Sequence, residues 1–173
     1  MSILTSRRFL PLFVTQFLGA FNDSMFKNAL AMLVTYKLAK EVGGNTAIVV
    51  ALAQGIFILP FFLFSATAGQ LSDKLDRGDI ARYVKIAEIG IMLFATLGFM
   101  TGSVSTLMVA IFGMGLHSTF FGPVKYAILP QHLEGKELLE GNAYVEAATF
   151  LAILLGTTLG GLLVGVENGN VIV

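Results

Sequence analysis

Cysteine is absent from the 173 residues, which excludes disulfides, thiolate metal sites and cysteine nucleophiles. Charge is scarce: only 13% of residues are Asp, Glu, Lys or Arg, against about 25% in a soluble domain. Acids and bases balance at 11 each, so no basic excess points to nucleic acid. Histidine is limited to His117 and His132, far apart and each without a ligand-like neighbour set. There is no glycine-rich phosphate loop, paired metal-ligand motif or nucleophile elbow. His132 with Glu137 is a superficial match to an acyltransferase His-x4-Asp signature, but the acid differs. The sequence therefore predicts a protein that is not an enzyme over these residues, with no metal and no cofactor.

What is present is apolar surface. Hydrophobic residues make up 55% of the chain, and the mean hydropathy is +0.81. About 20 apolar residues span a bilayer, and the pattern yields five such stretches, at about 9–38, 46–71, 80–101, 106–129 and 141–165. This predicts an all-α membrane protein with five transmembrane helices. The basic start, Met1 to Arg8, precedes a run too long and too polar inside for a signal peptide. Nineteen glycines, including the small-xxx-small pairs Gly156/Gly160 and Gly161/Gly165, suit close helix contact in lipid. Pro60 and Pro123 are expected to bend their helices and Pro130 to end the fourth. Asp79 is the expected N-cap of the third helix. Loops are expected at Lys40–Asn45, at Gly102-Ser103 and, as a charged segment, at Gln131–Glu140. The tail after Val166 is too short for a sixth helix.

The first helix carries the most informative stretch, Phe17 to Leu30. Asp23, Lys27, Asn22, Ser24 and Asn28 lie in the middle of an apolar run. A charge at mid-membrane costs on the order of 2.5–3.5 kcal/mol on insertion scales, so these groups must face a bundle interior or a watery cavity. At about 100° per residue, Gln16, Asp23 and Lys27 fall on one face. Asp23 and Lys27, at i and i+4, can pair. Two readings follow: a structural ion pair, or a polar site for a zwitterionic or charged substrate. The surrounding amides favour the second. In the fifth helix Asn142, Glu146, Thr149, Gly156 and Gly160 share a stripe; for Glu146 an intrahelical structural pair is the competing reading. Lys85 and Glu88 can pair at i, i+3. His117 is read first as a packing or pore residue.

Between the second and third helices stands Gly69-x-Leu71-Ser72-Asp73-Lys74-x-x-Arg77. It resembles the cytoplasmic signature of the major facilitator superfamily, departing from it at Asp76, where glycine is usual. The resemblance implies a conformational gate at Gly69, Asp73, Lys74 and Arg77, with the bases pairing across the interface between two halves in one state only. Lys and Arg near helix ends set topology. Arg7, Arg8, Lys74, Arg77, Arg82 and Lys136 lie on one side and Lys37 and Lys40 on the other, which predicts a cytoplasmic N-terminus.

A more specific resemblance spans about Phe9 to Gly165. Gln16-Phe17-Leu18-Gly19-Ala20-Phe21-Asn22-Asp23, Gly122-Pro123-Val124-Lys125-Tyr126-Ala127-Ile128-Leu129-Pro130, Gly141-Asn142-Ala143-Tyr144-Val145-Glu146-Ala147 and Ala152-Ile153-Leu154-Leu155-Gly156-Thr157-Thr158-Leu159-Gly160-Gly161 are similar to the bacterial lysophospholipid transporter family. They are also similar to the transporter domain fused in some bacteria to an acyltransferase and an acyl-acyl-carrier-protein synthetase. Ser24 stands where related sequences often have asparagine. The resemblance implies the N-terminal half of a twelve-helix transporter, lacking the sixth helix and the C-terminal half. It further implies flipping of lysophospholipid, chiefly lysophosphatidylethanolamine, across the bacterial inner membrane for reacylation. For that substrate Asp23 or Glu146 would meet the ammonium and Lys27 or Lys125 the phosphate, with Asn22, Asn28 and Asn142 extending the polar surface. Two alternatives remain: a drug or proton-coupled antiporter of the same superfamily, and the membrane domain of a fused acyltransferase whose chemistry lies beyond Val173.

Overall fold

The computed structural model describes residues 3–36 and 45–164, and the backbone at 166–167 and 170–171. After a 3-10 turn at Ile3–Thr5 come five long helices: α1 (Leu10–Tyr36), α2 (Thr46–Lys74), α3 (Arg77–Thr101), α4 (Val104–His132) and α5 (Lys136–Leu163). Two two-residue strands, β1 (Val166–Glu167) and β2 (Asn170–Val171), pair antiparallel after α5. The all-α architecture expected from the hydropathy pattern is what the chain adopts. Four helices, α2 to α5, are long and apolar enough to cross a membrane. α1 is as long, at 27 residues, but its polar stripe lowers its hydropathy. Of the expected loop at 40–45, residues 40–44 lie outside the described residues, as do Lys37 and Gly165, and Asn45 precedes the first turn of α2.

Several boundaries differ from expectation, each for a local reason. Asp76, not Asp79, caps α3: its carboxylate accepts from the Asp79 N–H at 3.0 Å, and its extended backbone (φ −62°, ψ 123°) suits an N-cap. Asp79 sits instead in the first turn, paired with Arg82 at 3.1 Å. The departure from the glycine of the superfamily signature thus has a structural use. α2 runs one turn further, to Lys74. α4 does not stop at Pro130, because the Leu133 N–H donates to the Leu129 carbonyl at 3.0 Å and the hydrogen-bond ladder resumes beyond the ring. α5 begins at Lys136, so most of the charged segment expected as a loop is helical. The turn shrinks to Leu133–Gly135, where Gly135 takes a φ of 52°. At the α3–α4 turn, Gly102 takes a φ of 65° and Ser103 caps α4 by accepting from the Thr106 N–H at 3.3 Å. Pro60 and Pro123 lie inside continuous helices.

Packing pairs α1 with α5, and α4 with both α2 and α3. The α1–α5 seam depends on glycine. A Cβ at Gly156 would strike the Phe21 carbonyl, and one at Gly160 the Met25 carbonyl, so the backbones touch as the small-xxx-small spacing predicts. A Cβ at Gly115 would likewise strike the Phe57 carbonyl, which holds α4 close to α2. The main core gathers Leu107, Ile111 and Met114 of α4 with Phe26, Leu30 and Leu33 of α1. A smaller cluster of Phe9, Leu129, Leu133 and Val145 closes the end of the bundle nearest the chain start. The outer faces stay apolar and exposed; Phe62 on α2 is 82% accessible and Phe150 on α5 71%. In water such faces would drive association, whereas in a bilayer they face lipid.

Candidate functional site

The polar stripe of α1 opens onto a cavity of about 390 Å³ at the centre of the bundle. Gln16, Gly19, Asp23 and Lys27 form its α1 wall, and Phe57 and Phe61 of α2 face them. α3 contributes Lys85, α4 contributes His117, Ser118, Phe121 and Lys125, and α5 contributes Thr149 and Ile153. Gln16 donates to the Thr149 hydroxyl at 3.1 Å and so fixes α1 to α5 at the cavity wall.

Asp23 and Lys27 do not form the ion pair expected from their spacing. The Lys27 ammonium lies 3.9 Å from the centroid of the Phe57 ring, a cation–π contact. One carboxylate oxygen of Asp23 accepts from the Ser118 hydroxyl at 2.8 Å, and the other is buried with no hydrogen-bond partner among the described residues. An aromatic ring on α2 and a hydroxyl on α4 compete for the two ends of the pair, and the helix spacing alone does not reveal that competition.

Behind this wall lies a second charged group. Glu88 is only 8% exposed. Its Oε2 meets the Lys85 ammonium at 2.6 Å and the His117 Nε2 at 3.4 Å, while its Oε1 accepts from Asn22 at 3.4 Å. The Lys85–Glu88 pair matches the sequence expectation, but its place in the bundle interior, joined to α1 and α4, does not follow from spacing. His117 Nδ1 lies 2.7 Å from the Met114 carbonyl; a carbonyl only accepts, so Nδ1 carries the proton and Nε2 is left to face Glu88. Asp23, Glu88 and His117 place possible ligand atoms within 4.8 Å of one another. The cationic place against Glu88 is taken by Lys85 itself, so the donor set fits a tethered ammonium better than a metal ion.

Of the other residues singled out in the sequence, Lys125 lines the cavity and lies 3.9 Å from Glu146 Oε1. Tyr126 donates to the same oxygen at 2.5 Å. Glu146 is therefore engaged between α4 and α5, not within its own helix. Asn28 donates to the Thr157 carbonyl at 2.6 Å and links α1 to α5. Asn22 lines a neighbouring apolar groove of about 710 Å³ between α1 and α3. Asn142 donates to the Leu138 carbonyl of its own helix at 2.9 Å. None of these three asparagines is on the wall of the central cavity. The residues that spacing undervalued are Lys85, Glu88, His117 and Ser118. Their signal was present, since α3 and α4 also carry ionisable groups inside apolar runs.

In the α2–α3 turn, Arg77 donates to the Ala127 carbonyl at 2.9 Å and, through Nε, to the Ser72 carbonyl at 3.4 Å. This ties the turn to the end of α4 within the chain. Asp73 and Lys74 are exposed and carry no hydrogen bond or ion pair among the described residues. Among the described residues a Cβ at Gly69 would meet nothing within 4 Å, so the glycine serves no close approach to them. Arg8 joins the chain start to the turn before α5, donating to the His132 carbonyl at 3.2 Å and pairing with Glu137 at 3.5 Å.

The family model described as Major Facilitator Superfamily matches residues 12–169. The lysophospholipid transporter LplT of Escherichia coli (strain SE11) is 28% identical over 160 residues, covering 92% of this chain and 37% of the relative. The proteins of the same name from Escherichia coli K12 / DH10B and from Shigella boydii serotype 18 match with the same identity and coverage. The chain thus spans well under half the length of these relatives. No solved structure matches it.

Proposed function

The chain belongs to the Major Facilitator Superfamily, and from that premise we propose that it is the N-terminal part of a multi-pass transporter that moves a lysophospholipid across the bacterial inner membrane. The observation that carries this reading is the central cavity, which joins charges of both signs to aromatic and aliphatic walls. A lysophosphatidylethanolamine has that same division: a phosphate, an ammonium and one acyl chain. Asp23 offers a buried carboxylate oxygen with no hydrogen-bond partner among the described residues and is the proposed partner of the ammonium. Lys27 of α1 and Lys125 of α4, which both line the cavity, are the proposed partners of the phosphate. Glu146 sets the position of Lys125, and Asn22, Asn28 and Asn142 hold neighbouring groups in place.

In a twelve-helix carrier a second half faces the first across the substrate site. We place Gly69, Asp73, Lys74 and Arg77 at that interface, with the free charges of Asp73 and Lys74 available to pair in one state and part in the other. The cluster of Arg7, Arg8, Lys74, Arg77, Arg82 and Lys136 supports a cytoplasmic N-terminus. A second reading, an antiporter driven by protons, is favoured only by the buried, unpartnered oxygen of Asp23.

The test is uptake of labelled lysophosphatidylethanolamine into spheroplasts expressing the longest open reading frame that contains this chain. Uptake is expected in the parent, and its loss in Asp23→Asn at equal membrane abundance. Normal flux in the variant would remove Asp23 from the site. No lysolipid uptake, with protonophore-sensitive export of a soluble compound, would favour the antiporter.

A further inference from the structure

We propose that the place now filled by the Lys85 ammonium is a primary-ammonium site. The headgroup amine of the substrate would replace the Lys85 ammonium on Glu88 while meeting Asp23, whose carboxylate lies within 4.8 Å of that of Glu88, and the displaced Lys85 would join Lys27 and Lys125 on the phosphate. The inference rests on the lysophospholipid reading above and names how that site tells one headgroup from another.

Four observations support it. The Lys85 ammonium is held as a bound alkylammonium would be, with a carboxylate oxygen at 2.6 Å on one side and the Phe121 ring centroid at 4.4 Å on another, a pairing suited to organic cations. Gly19 leaves the room: a Cβ there would stand 2.6 Å from the Lys85 Nζ, so a side chain at this position would push the ammonium away from its present place. Glu88 is held from a further side by Asn22, which donates to its Oε1 at 3.4 Å, so it keeps a partner when its cation is exchanged. Finally, Lys85 lines the cavity and its side chain is 22% exposed, whereas that of Glu88 is 11% exposed behind it. The cation is thus open to the cavity from which a substrate would come.

The chemistry of the exchange is balanced. Lysine and an ethanolamine headgroup both end in –NH₃⁺ with three donors. Replacing one with the other leaves Glu88 neutralised throughout and avoids an unpaired buried charge. Lysine sits on a flexible four-carbon stem and can swing to a new anion. A headgroup without an amine cannot displace it, and a quaternary ammonium lacks the donors.

The test uses the full open reading frame purified in detergent. Lys85→Ala should lose several degrees of Tm and regain most of the loss in methylammonium chloride. Sodium chloride or tetramethylammonium chloride at equal ionic strength should not restore it, since only a ligand of the native state stabilises by binding. An equal response to all three salts would overturn the proposal. Should Lys85→Ala fail to fold, Glu88→Gln carries the test in spheroplasts. Its preference for lysophosphatidylethanolamine over lysophosphatidylglycerol should fall about tenfold, the size expected for one charge-assisted hydrogen bond; an unchanged preference would overturn the proposal. The two readings fail differently. Absent uptake of any lysolipid by the parent defeats the transport reading, whereas uptake without methylammonium rescue and without a change in preference defeats this one.

Discussion

Gly160→Ala adds one methyl group where α5 meets α1, and the added Cβ would strike the Met25 carbonyl. The obstacle is backbone, which cannot rotate aside, so the helices must part. Overpacking of this kind costs about 1–3 kcal/mol, and a rigid obstacle puts the cost near the upper end. Against it stands the higher helix propensity of alanine, up to ~1 kcal/mol over glycine. That gain cancels in a comparison with Gly90→Ala and Gly55→Ala, which lie inside α3 and α2 with nothing within 4 Å of the new Cβ. The difference between Gly160→Ala and Gly90→Ala should therefore be about 2–3 kcal/mol. Adding Gly156→Ala should lower stability further, because the same seam carries the Gln16–Thr149 and Asn28–Thr157 hydrogen bonds, which in membrane proteins average about 0.6 kcal/mol each. Thermal unfolding in detergent, followed by circular dichroism and by recovery of the monodisperse species, reads this ranking. Equal stability of Gly160→Ala and Gly90→Ala would refute the account of the seam.

Asp76→Ala should destabilise by about 1 kcal/mol, the usual loss of an N-cap, whereas Asp79→Ala should change little because its pair with Arg82 is exposed; paired denaturation curves decide. Arg77→Ala should cost about 1–3 kcal/mol and expose the α2–α3 turn to protease, since the Ala127 carbonyl loses its charged donor, with Arg77→Lys recovering only part. Ser118→Ala should cost about 1–3 kcal/mol by leaving Asp23 without its hydroxyl donor. In combination with Asp23→Asn the loss should be less than additive, as a double-mutant cycle would show.

The sequence showed the fold well because the signal was repeated in each helix: long apolar runs, broken by the Gly102-Ser103 turn and the charged segments. The α1 stripe was legible for the same reason, since ionisable residues inside an apolar run have few places to go. What spacing did not show was which partner each charge would choose. Asp23 and Lys27 looked like a pair because both lie on one helix; Ser118 and Phe57, distant in sequence, win them instead. Lys85 and Glu88 were visible as neighbours but not as part of the site, because their approach depends on Gly19 and His117 meeting them from other helices. The extent of α5 was missed for a simpler reason: Lys136 to Glu140 is polar, and polar helix ends outside the membrane read as loop.

The central claim, that a lysolipid headgroup enters the cavity behind α1, has a direct test in a background with any cysteine outside these 173 cysteine-free residues replaced. Gly122 lines the cavity, and a Cβ there would meet nothing within 4 Å among the described residues, so in that background Gly122→Cys places one thiol at the cavity without a clash. Its rate of labelling by a small water-soluble thiol reagent should fall on addition of lysophosphatidylethanolamine. It should not fall with a neutral detergent of equal chain length, and the protection should vanish in the Asp23→Asn background. Labelling that is unaffected by the lysolipid while uptake proceeds would contradict the account and place the route of the lipid elsewhere.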